Sequence, residues 1–258
     1  MSRNKKHARH DHSETLNDEY QEEFVNAYSV KDKFKHSEKR FNINIKPLTN
    51  HQKDLLYCLE TKDIIIAHGC AGTGKSYVCM GYAAKELIDE KYEQLVLCRS
   101  VIPATKSLGF FPGEVNAKLE PWLGHFINYL KGFLGKGTVE CWMKPNKMRE
   151  EKILMQPLEV IRGSSFDNKI IIIEEAQNLT WKELKMIVTR IGNNSKLILS
   201  GDLAQSDLSK ERCGLTTLIN LKDKFDIFGI GEVKFNSDDI VRSDIVKELI
   251  KAFEEEDI

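Results

Sequence analysis

The chain has 258 residues, of which 41% are hydrophobic and 30% charged, a composition typical of a globular protein with a sizeable core. A net charge of −1 excludes a globally basic surface, so any nucleic-acid site must be a local patch. The six cysteines are scattered without a C-x-x-C pair, and no apolar run is long enough for a membrane span. We therefore expect a cytoplasmic protein without disulfides or contact with a membrane.

The beginning of the chain is polar and mixed in charge, with little apolar periodicity. We predict that residues 1–44 form a mobile or loosely helical tail. At its end, residues 41–46 (FNINIK) alternate apolar and polar side chains as a short strand does. Thr49 and Gln52 then have the spacing of a capping box, which predicts a helix of about ten residues.

Short runs of isoleucine, leucine and valine follow, separated by segments with helical periodicity. Four of these runs predict strands that are buried on both faces, at residues 63–68, 94–98, 169–173 and 196–200. A helix is predicted from Thr180, one or two edge strands within 227–235, and a last helix from near Ser243. This alternation is typical of the α/β class, with a parallel β-sheet flanked by helices.

One stretch fits the alternation poorly. Residues 103–157 contain several prolines and a glycine-rich GFLGKG sequence. We predict an inserted segment over the carboxyl ends of the strands, where parallel α/β sheets bind ligands. The predicted organisation is therefore one domain, residues 45–258, that carries this insertion.

A glycine-rich sequence directly follows the first predicted strand and precedes an amphipathic helix. It matches the pattern G-x-x-x-x-G-K-[ST] with Gly69, Cys70, Ala71, Gly72, Thr73, Gly74, Lys75 and Ser76. Such a loop surrounds a polyphosphate with backbone N–H groups, and the helix N-terminus adds positive potential. We predict that Lys75 contacts the β- and γ-phosphates of ATP and that the Ser76 hydroxyl binds Mg²⁺.

Acidic and amide side chains follow the last two predicted buried strands. Glu174 is predicted to hold Mg²⁺ and its water, and Glu175 to orient or activate the attacking water. Asp202 and Gln205 are predicted to hydrogen-bond the γ-phosphate and its water, and so to sense whether that phosphate is present.

Two further residues have alternative interpretations. Gln52 either contacts an adenine edge or only completes the capping box that precedes the loop. Arg242 stands just before the last helix, where it either stabilises charge on the transferring phosphate or is an exposed arginine at a helix start.

These motifs together resemble the PhoH family, P-loop ATPases related to the core of superfamily 1 helicases. The resemblance runs from about Ile45 to Phe253. Its segments, in order, are GCAGTGKS, LGFFPGE at 108–114, LEVIRG at 158–163, EEAQN at 174–178, GDLAQSDL at 201–208 and VRSDIV at 241–246. The family pattern has Asp where Glu174 stands, a basic residue where Ser164 stands and His where Ser243 stands.

The resemblance implies a P-loop NTPase (RecA-like) core that hydrolyses ATP with Mg²⁺, often in association with RNA binding or unwinding. Some relatives carry an N-terminal PIN nuclease domain; we expect no nuclease site in this sequence, because residues 1–44 are too few for that fold. The compact form resembles those of bacteria and their phages, so we expect the cytoplasm of a bacterial or phage-infected cell.

Contacts with nucleic acid and with other subunits are also predicted. Arg99, Lys106 and Arg162 have positions suited to phosphate contacts with RNA or single-stranded nucleic acid. A superfamily 1 helicase has two similar domains around its nucleotide, and this chain has strands for one. Arg242 therefore acts within its own subunit or reaches a neighbour's nucleotide. In the second case a homo-oligomeric ring, such as a hexamer, would complete the site.

Three functions fit the motifs. The first is an ATP-driven machine acting on single-stranded RNA or DNA, and the second a nucleotide kinase-type phosphoryl transferase. The third is an ATP-loaded assembly switch with little turnover. Kinases need a lid of paired arginines and seldom have G-D-x-x-Q after an acidic strand, which favours the first function over the second.

Overall fold

A parallel β-sheet forms the centre of the computed structural model, which describes residues 41, 43–100, 115–145, 151–161 and 165–255. Across these residues the sheet has six strands in the spatial order β3-β2-β4-β5-β1-β6, and neighbouring strands pair in parallel. The strands are β1 (Ile64–Gly69), β2 (Gln94–Arg99), β3 (Ile153–Met155), β4 (Lys169–Glu174), β5 (Lys196–Gly201) and β6 (Ile230–Phe235).

Helices cover both faces of this sheet. In the described part of the chain they are α1 (Asn50–Thr61), α2 (Lys75–Ile88), α3 (Val115–Leu134), α4 (Lys136–Trp142), α5 (Leu158–Ile161), α6 (Trp181–Val188), α7 (Gly214–Phe225) and α8 (Asp244–Glu255). Short 3₁₀ turns follow β4, β5 and β6. None of the helices within these ranges is both long and apolar enough to cross a membrane.

Successive strand residues face opposite hydrophobic clusters. On one face Ile65 and Leu97 pack with the buried side chains of α1, α2, α3 and α4. On the other face Ile66 and Val96 pack with those of α6 and α7. Because every second side chain of a strand points to the same face, strands covered on both sides need apolar residues at successive positions. This explains runs such as IIII in β4.

The predicted strands are present, and one more strand joins them. Strands β1, β2, β4 and β5 confirm the four predicted buried strands, and β6 is the edge strand expected within 227–235. The prediction for 103–157 is wrong in one respect, because β3 lies within that stretch and pairs with β2. It has only three residues, too few to show a period in the sequence. Pro121 also lies inside α3.

The alternating segment before α1 has a different origin from the one predicted. The described residues of 41–46 form no strand. Ile43 and Ile45 instead pack against the first hydrophobic cluster. A Cβ atom added to Gly81 of α2 would lie 2.8 Å from Ile45 Cγ1, so the glycine allows this close approach. The alternation of apolar and polar residues therefore reflects the packing of Ile43 and Ile45 on a helix. Within the described residues, this segment has no strand partner.

Candidate functional site

Strands β1, β4 and β5 end beside a cavity of about 240 Å³ at the carboxyl edge of the sheet. Its lining comprises Ala71, Gly72, Thr73, Gly74, Lys75, Ser76, Tyr77, His125, Tyr129, Glu174, Glu175, Ser200, Gly201, Asp202, Gln205 and Arg242. The structure thus brings most of the predicted phosphate, metal and catalytic residues together from distant parts of the sequence. Gln52, Gly69 and Cys70 were also predicted to bind the nucleotide and are not part of this lining.

The glycine-rich sequence forms a tight loop between β1 and α2. Gly69 has a φ angle of +114°, and a Cβ atom there would lie 2.0 Å from the backbone oxygen of Phe235 in β6. Only glycine tolerates both the left-handed backbone and the close approach of the neighbouring strand. The loop then leads directly into α2 at Lys75, which places the helix N-terminus at the cavity.

The ammonium group of Lys75 lies across the inside of the loop. Its Nζ atom donates to the backbone oxygens of Gly69 and Cys70, at 2.6 and 2.7 Å. Burial lowers the pKa of Lys75, and the charge of Asp202 opposes this change. Oxygen atoms of a phosphate would satisfy the same donors and would favour the charged form, so the geometry suits an anionic ligand.

Gln52 supports the phosphate loop from behind. Its side chain is 2% exposed, its Nε2 donates to Thr73 O at 2.9 Å, and its Oε1 accepts from Leu48 N at 2.7 Å. Thr49 Oγ1 accepts from Gln52 N, so half of the predicted capping box is present. The complete box is absent, because Gln52 Oε1 accepts from Leu48 N and not from Thr49 N. The adenine contact stays a prediction.

We predict that Gln52→Ala destabilises the fold and weakens ATP binding. The substitution removes the partners of the Leu48 N–H and the Thr73 carbonyl, and leaving the buried Thr73 carbonyl unsatisfied costs about 1–3 kcal/mol. Thermal unfolding and calorimetric titration with ATP would measure the two effects. Lys53→Ala, on the exposed side of α1, is the matched control. Equal melting temperatures for the two variants would contradict the supporting role.

Glu175 accepts hydrogen bonds at both carboxylate oxygens. Arg99 Nη2 donates to Oε1 at 3.1 Å, and Gln177 Nε2 donates to Oε2 at 2.6 Å. The amide oxygen of Gln177 in turn accepts from Asp202 N at 3.1 Å, which links the end of β4 to the end of β5. Glu175 has a φ angle of 54°, a left-handed conformation that is uncommon for a side chain of this type.

Glu174 has one carboxylate oxygen that lacks a hydrogen-bond partner. Its Oε1 lies 2.8 Å from His125 Nε2, whereas its Oε2 is buried without a hydrogen bond and 3.7 Å from Arg99 Nη1. A hard oxygen ligand of this kind suits Mg²⁺, and Ser76 lines the same cavity. The described residues contain no group of three His, Cys, Asp or Glu suited to a metal. Ser76 and Glu174 therefore fit a magnesium ion that takes its other ligands from phosphate and water.

The guanidinium of Arg99, which was predicted to contact nucleic acid, binds groups within its own chain. It donates to Glu175, forms an ion pair with Glu174, and donates Nη1 to the backbone oxygen of Trp122 in α3 at 3.1 Å. Parallel pairing places Arg99 beside Glu174, so the two acidic residues attract the nearest cation. The other two predicted contacts, Lys106 and Arg162, lie outside the described residues.

Arg242 lies over the phosphate loop of its own chain. A Cβ atom added to Gly72 would be 2.8 Å from Arg242 Nε, and Val241 N donates to Gly72 O at 3.1 Å. Of the two predicted arrangements, this geometry matches the one within a single subunit. Gln205 and Asp202, which follow β5, line the same cavity.

Sequence reasoning missed the side chains that α3 contributes. His125 and Tyr129 line the cavity, and Tyr129 also contacts the ring of Tyr77 edge-on, with centroids 6.0 Å apart. A spacing of four residues puts His125 and Tyr129 on one side of a helix, which is the only local signal for their shared role. The partner side chains come from distant segments, so the spacing alone could not identify the site.

A profile of the family described as PhoH-like protein matches residues 44–254. The chain belongs to the PhoH family. The match confirms the resemblance drawn from the motifs.

Individual PhoH relatives agree with the profile. The chain is 31% identical to a PhoH-like protein of Synechocystis over 81% of its own length and 62% of the relative. It is 32% identical to Protein PhoH of Escherichia coli, over 78% of this chain and 56% of that protein. The PhoH-like protein of Bacillus subtilis is 31% identical over 83% of this chain and 65% of the relative. The chain thus spans less than two thirds of these relatives.

Solved structures support the same fold. The large terminase of a thermophilic bacteriophage superimposes with a TM-score of 0.51 at 16% identity, over 80% of this chain and 50% of that protein. A complex of the same terminase with ADP gives the same score. The PhoH-family chain therefore has the P-loop NTPase fold that the sequence predicts, a parallel sheet flanked by helices.

Proposed function

We propose that this PhoH-family chain is an ATPase that hydrolyses ATP with Mg²⁺ and couples hydrolysis to the binding or remodelling of single-stranded nucleic acid. The observation that carries the proposal is the convergence of Lys75, Glu175, Gln205 and Arg242 on one cavity. Phosphate binding, water positioning and charge stabilisation are the requirements of phosphoryl transfer to water, and these side chains supply each of them.

Each residue has a distinct role in this proposal. The loop backbone and Lys75 bind the β- and γ-phosphates, while Arg242 stabilises charge that develops on the γ-phosphate. Ser76 and Glu174 would hold Mg²⁺, which neutralises phosphate charge when bound. Glu175 orients the attacking water and accepts its proton.

The end of β5 supplies a sensor for the γ-phosphate. Asp202 and Gln205 border the cavity, and Asp202 N donates to Gln177 Oε1. Because Gln177 also donates to Glu175, a change at the γ-phosphate reaches the water-positioning acid through one side chain. This connection provides a route by which hydrolysis becomes movement.

The two alternative functions have less support. A nucleotide kinase needs paired arginines over its phosphates, and the lining that the structure describes contains Arg242 without a second arginine. An assembly switch with little turnover needs no group to position water, whereas Glu175 borders this cavity. The hydrolytic machine is therefore the function that the geometry favours.

The proposal extends to assembly and location. Arg242 already lies in its own cavity, so a neighbouring subunit is not required to supply it. Exposed apolar side chains next to this residue, Val241, Ile245 and Leu249, support a homo-oligomer, for which a hexameric ring is the form proposed. We place the protein in the cytoplasm of a bacterial or phage-infected cell.

We predict that single-stranded RNA or DNA increases the steady-state ATPase rate. Raising the salt concentration from about 50 to about 200 mM should weaken the apparent affinity for the strand about tenfold if two or three phosphates are contacted. The measurement is the ATPase rate against strand concentration at both salt concentrations, with Lys75→Ala as the inactive control. A rate that no strand changes at either salt concentration would remove nucleic acid from the proposal.

A further inference from the structure

The water-positioning acid is held in place by two groups, and the proposed chemistry assigns no role to one of them, Arg99. Both oxygens of Glu175 already accept hydrogen bonds, one from Arg99 and one from Gln177. An oxygen that accepts a bond from a guanidinium is less able to accept one from water, because the charge-assisted bond is the stronger of the two. In this resting state the bond from Arg99 competes with a bond from the attacking water, although each carboxylate oxygen retains a second acceptor site.

Arg99 connects this resting state to α3. The arginine ends β2, where strand pairing fixes its backbone beside Glu174. Its Nη1 donates to Trp122 O within α3 while its Nη2 donates to Glu175. One planar guanidinium therefore joins the helix to the acid, and the fixed geometry of its donors makes the two contacts interdependent.

We propose that Arg99 is a positioning residue that restrains Glu175, and that a displacement of α3 on binding single-stranded nucleic acid releases the acid for catalysis. This inference rests on the proposed ATPase function. When α3 moves, the Arg99 guanidinium loses its hydrogen bond to Trp122 O, and its contact with Glu175 weakens with it. The Glu175 carboxylate then becomes free to accept a bond from water. The strand acts through the helix and need not contact Arg99.

Two other roles for Arg99 lead to different results. An arginine that holds Glu175 in its productive position would be needed for turnover, and its removal would lower the rate. An arginine that only balances the charge of Glu174 and Glu175 would affect stability and leave the rate per folded molecule unchanged. The direction of the change in kcat therefore separates the three roles.

The test is the basal kcat of Arg99→Gln, without any nucleic acid and at saturating ATP. We expect a rise of about two- to fivefold, the range for losing one partly exposed ion pair, with little change in KM. The stimulation by a single-stranded RNA should fall by a similar factor, because the restraint is already absent. Arg190→Ala, an exposed arginine outside the cavity, is the matched control.

Further variants separate a catalytic effect from a folding effect. Arg99→Lys keeps the charge but lacks the planar guanidinium that joins the two contacts, so it should also raise the basal rate. This variant replaces Arg99→Gln in the test if Arg99→Gln folds poorly. Adding Arg99→Gln to Glu175→Gln should not raise the residual rate of Glu175→Gln, whereas an effect that does not act through Glu175 would persist in that background. If the wild type is active and folded Arg99 variants have a lower or unchanged kcat, the inference is overturned. The proposed ATPase function then still stands.

The same experiment distinguishes failure of the proposed function. If wild type and Lys75→Ala hydrolyse ATP equally slowly and Arg99→Gln is no faster, both the ATPase proposal and the inference are overturned. If wild type is inactive and Arg99→Gln is active, the restraint is supported and is stronger than expected.

Discussion

Lys75→Ala is expected to reduce ATP hydrolysis by at least about 10²–10³-fold, the cost of removing one charged donor from a phosphoryl-transfer site. The ammonium lies inside the loop and is held by the backbone oxygens of Gly69 and Cys70. No other described lysine lines the cavity. Binding of ATP should weaken as well, because the β- and γ-phosphates lose their nearest positive charge.

This loss of activity should not come from unfolding. Burial lowers the pKa of Lys75, so its charged form is less favourable in the folded protein than in the unfolded chain. Replacing Lys75 by alanine removes this buried charge, so the loss of the charge itself should not destabilise the fold. Steady-state ATPase, calorimetry with ATP and thermal unfolding would be measured together, with the exposed Lys85→Ala of the same helix as control. Normal turnover in folded Lys75→Ala would remove the phosphate-loop assignment.

Glu175→Gln is expected to separate ATP binding from hydrolysis. The amide keeps the shape of the side chain and can still accept a hydrogen bond from Arg99, but it cannot accept a proton from water. General-base assistance contributes about 10²–10⁴-fold to rates of this kind, so kcat should fall within that range. The affinity for ATP should stay close to that of the wild type, since Lys75 and the loop are unchanged.

The measurement that checks this prediction is a single-turnover hydrolysis assay combined with an equilibrium titration of ATP. Glu60→Gln, an exposed residue of α1, is the matched control. A small loss of kcat would favour the assembly switch, which has little turnover to lose. A large loss of ATP affinity would place Glu175 in the binding of the nucleotide.

The sequence was most informative where local pattern and function coincide. The loop from Gly69 to Ser76 could be predicted because its glycines and the adjoining helix are encoded in consecutive residues. Glu174 and Asp202 could be placed together because the carboxyl ends of parallel strands meet at one edge of a sheet. Both predictions needed only strand positions, which the apolar runs show clearly.

The remaining contacts depend on how distant segments pack. Nothing near Arg99 in the sequence indicates that it contacts Glu175, because their proximity follows from the pairing of β2 with β4. His125 reaches Glu174 only through the position of α3 on the sheet. Gln52 was predicted as part of a cap, and its contact with Thr73 depends on how α1 packs beside the loop. Such contacts are tertiary, and one sequence contains no direct signal for them.

Both ends of the matched sequence meet at the phosphate loop. Near its beginning, Gln52 connects Leu48 to Thr73, and near its end Val241 N donates to Gly72 O. The minimal fragment that can be excised without altering the loop must therefore start before Leu48 and continue past Arg242. A shorter fragment, whether made for crystallisation or for a domain fusion, would keep the sheet but deform the phosphate loop.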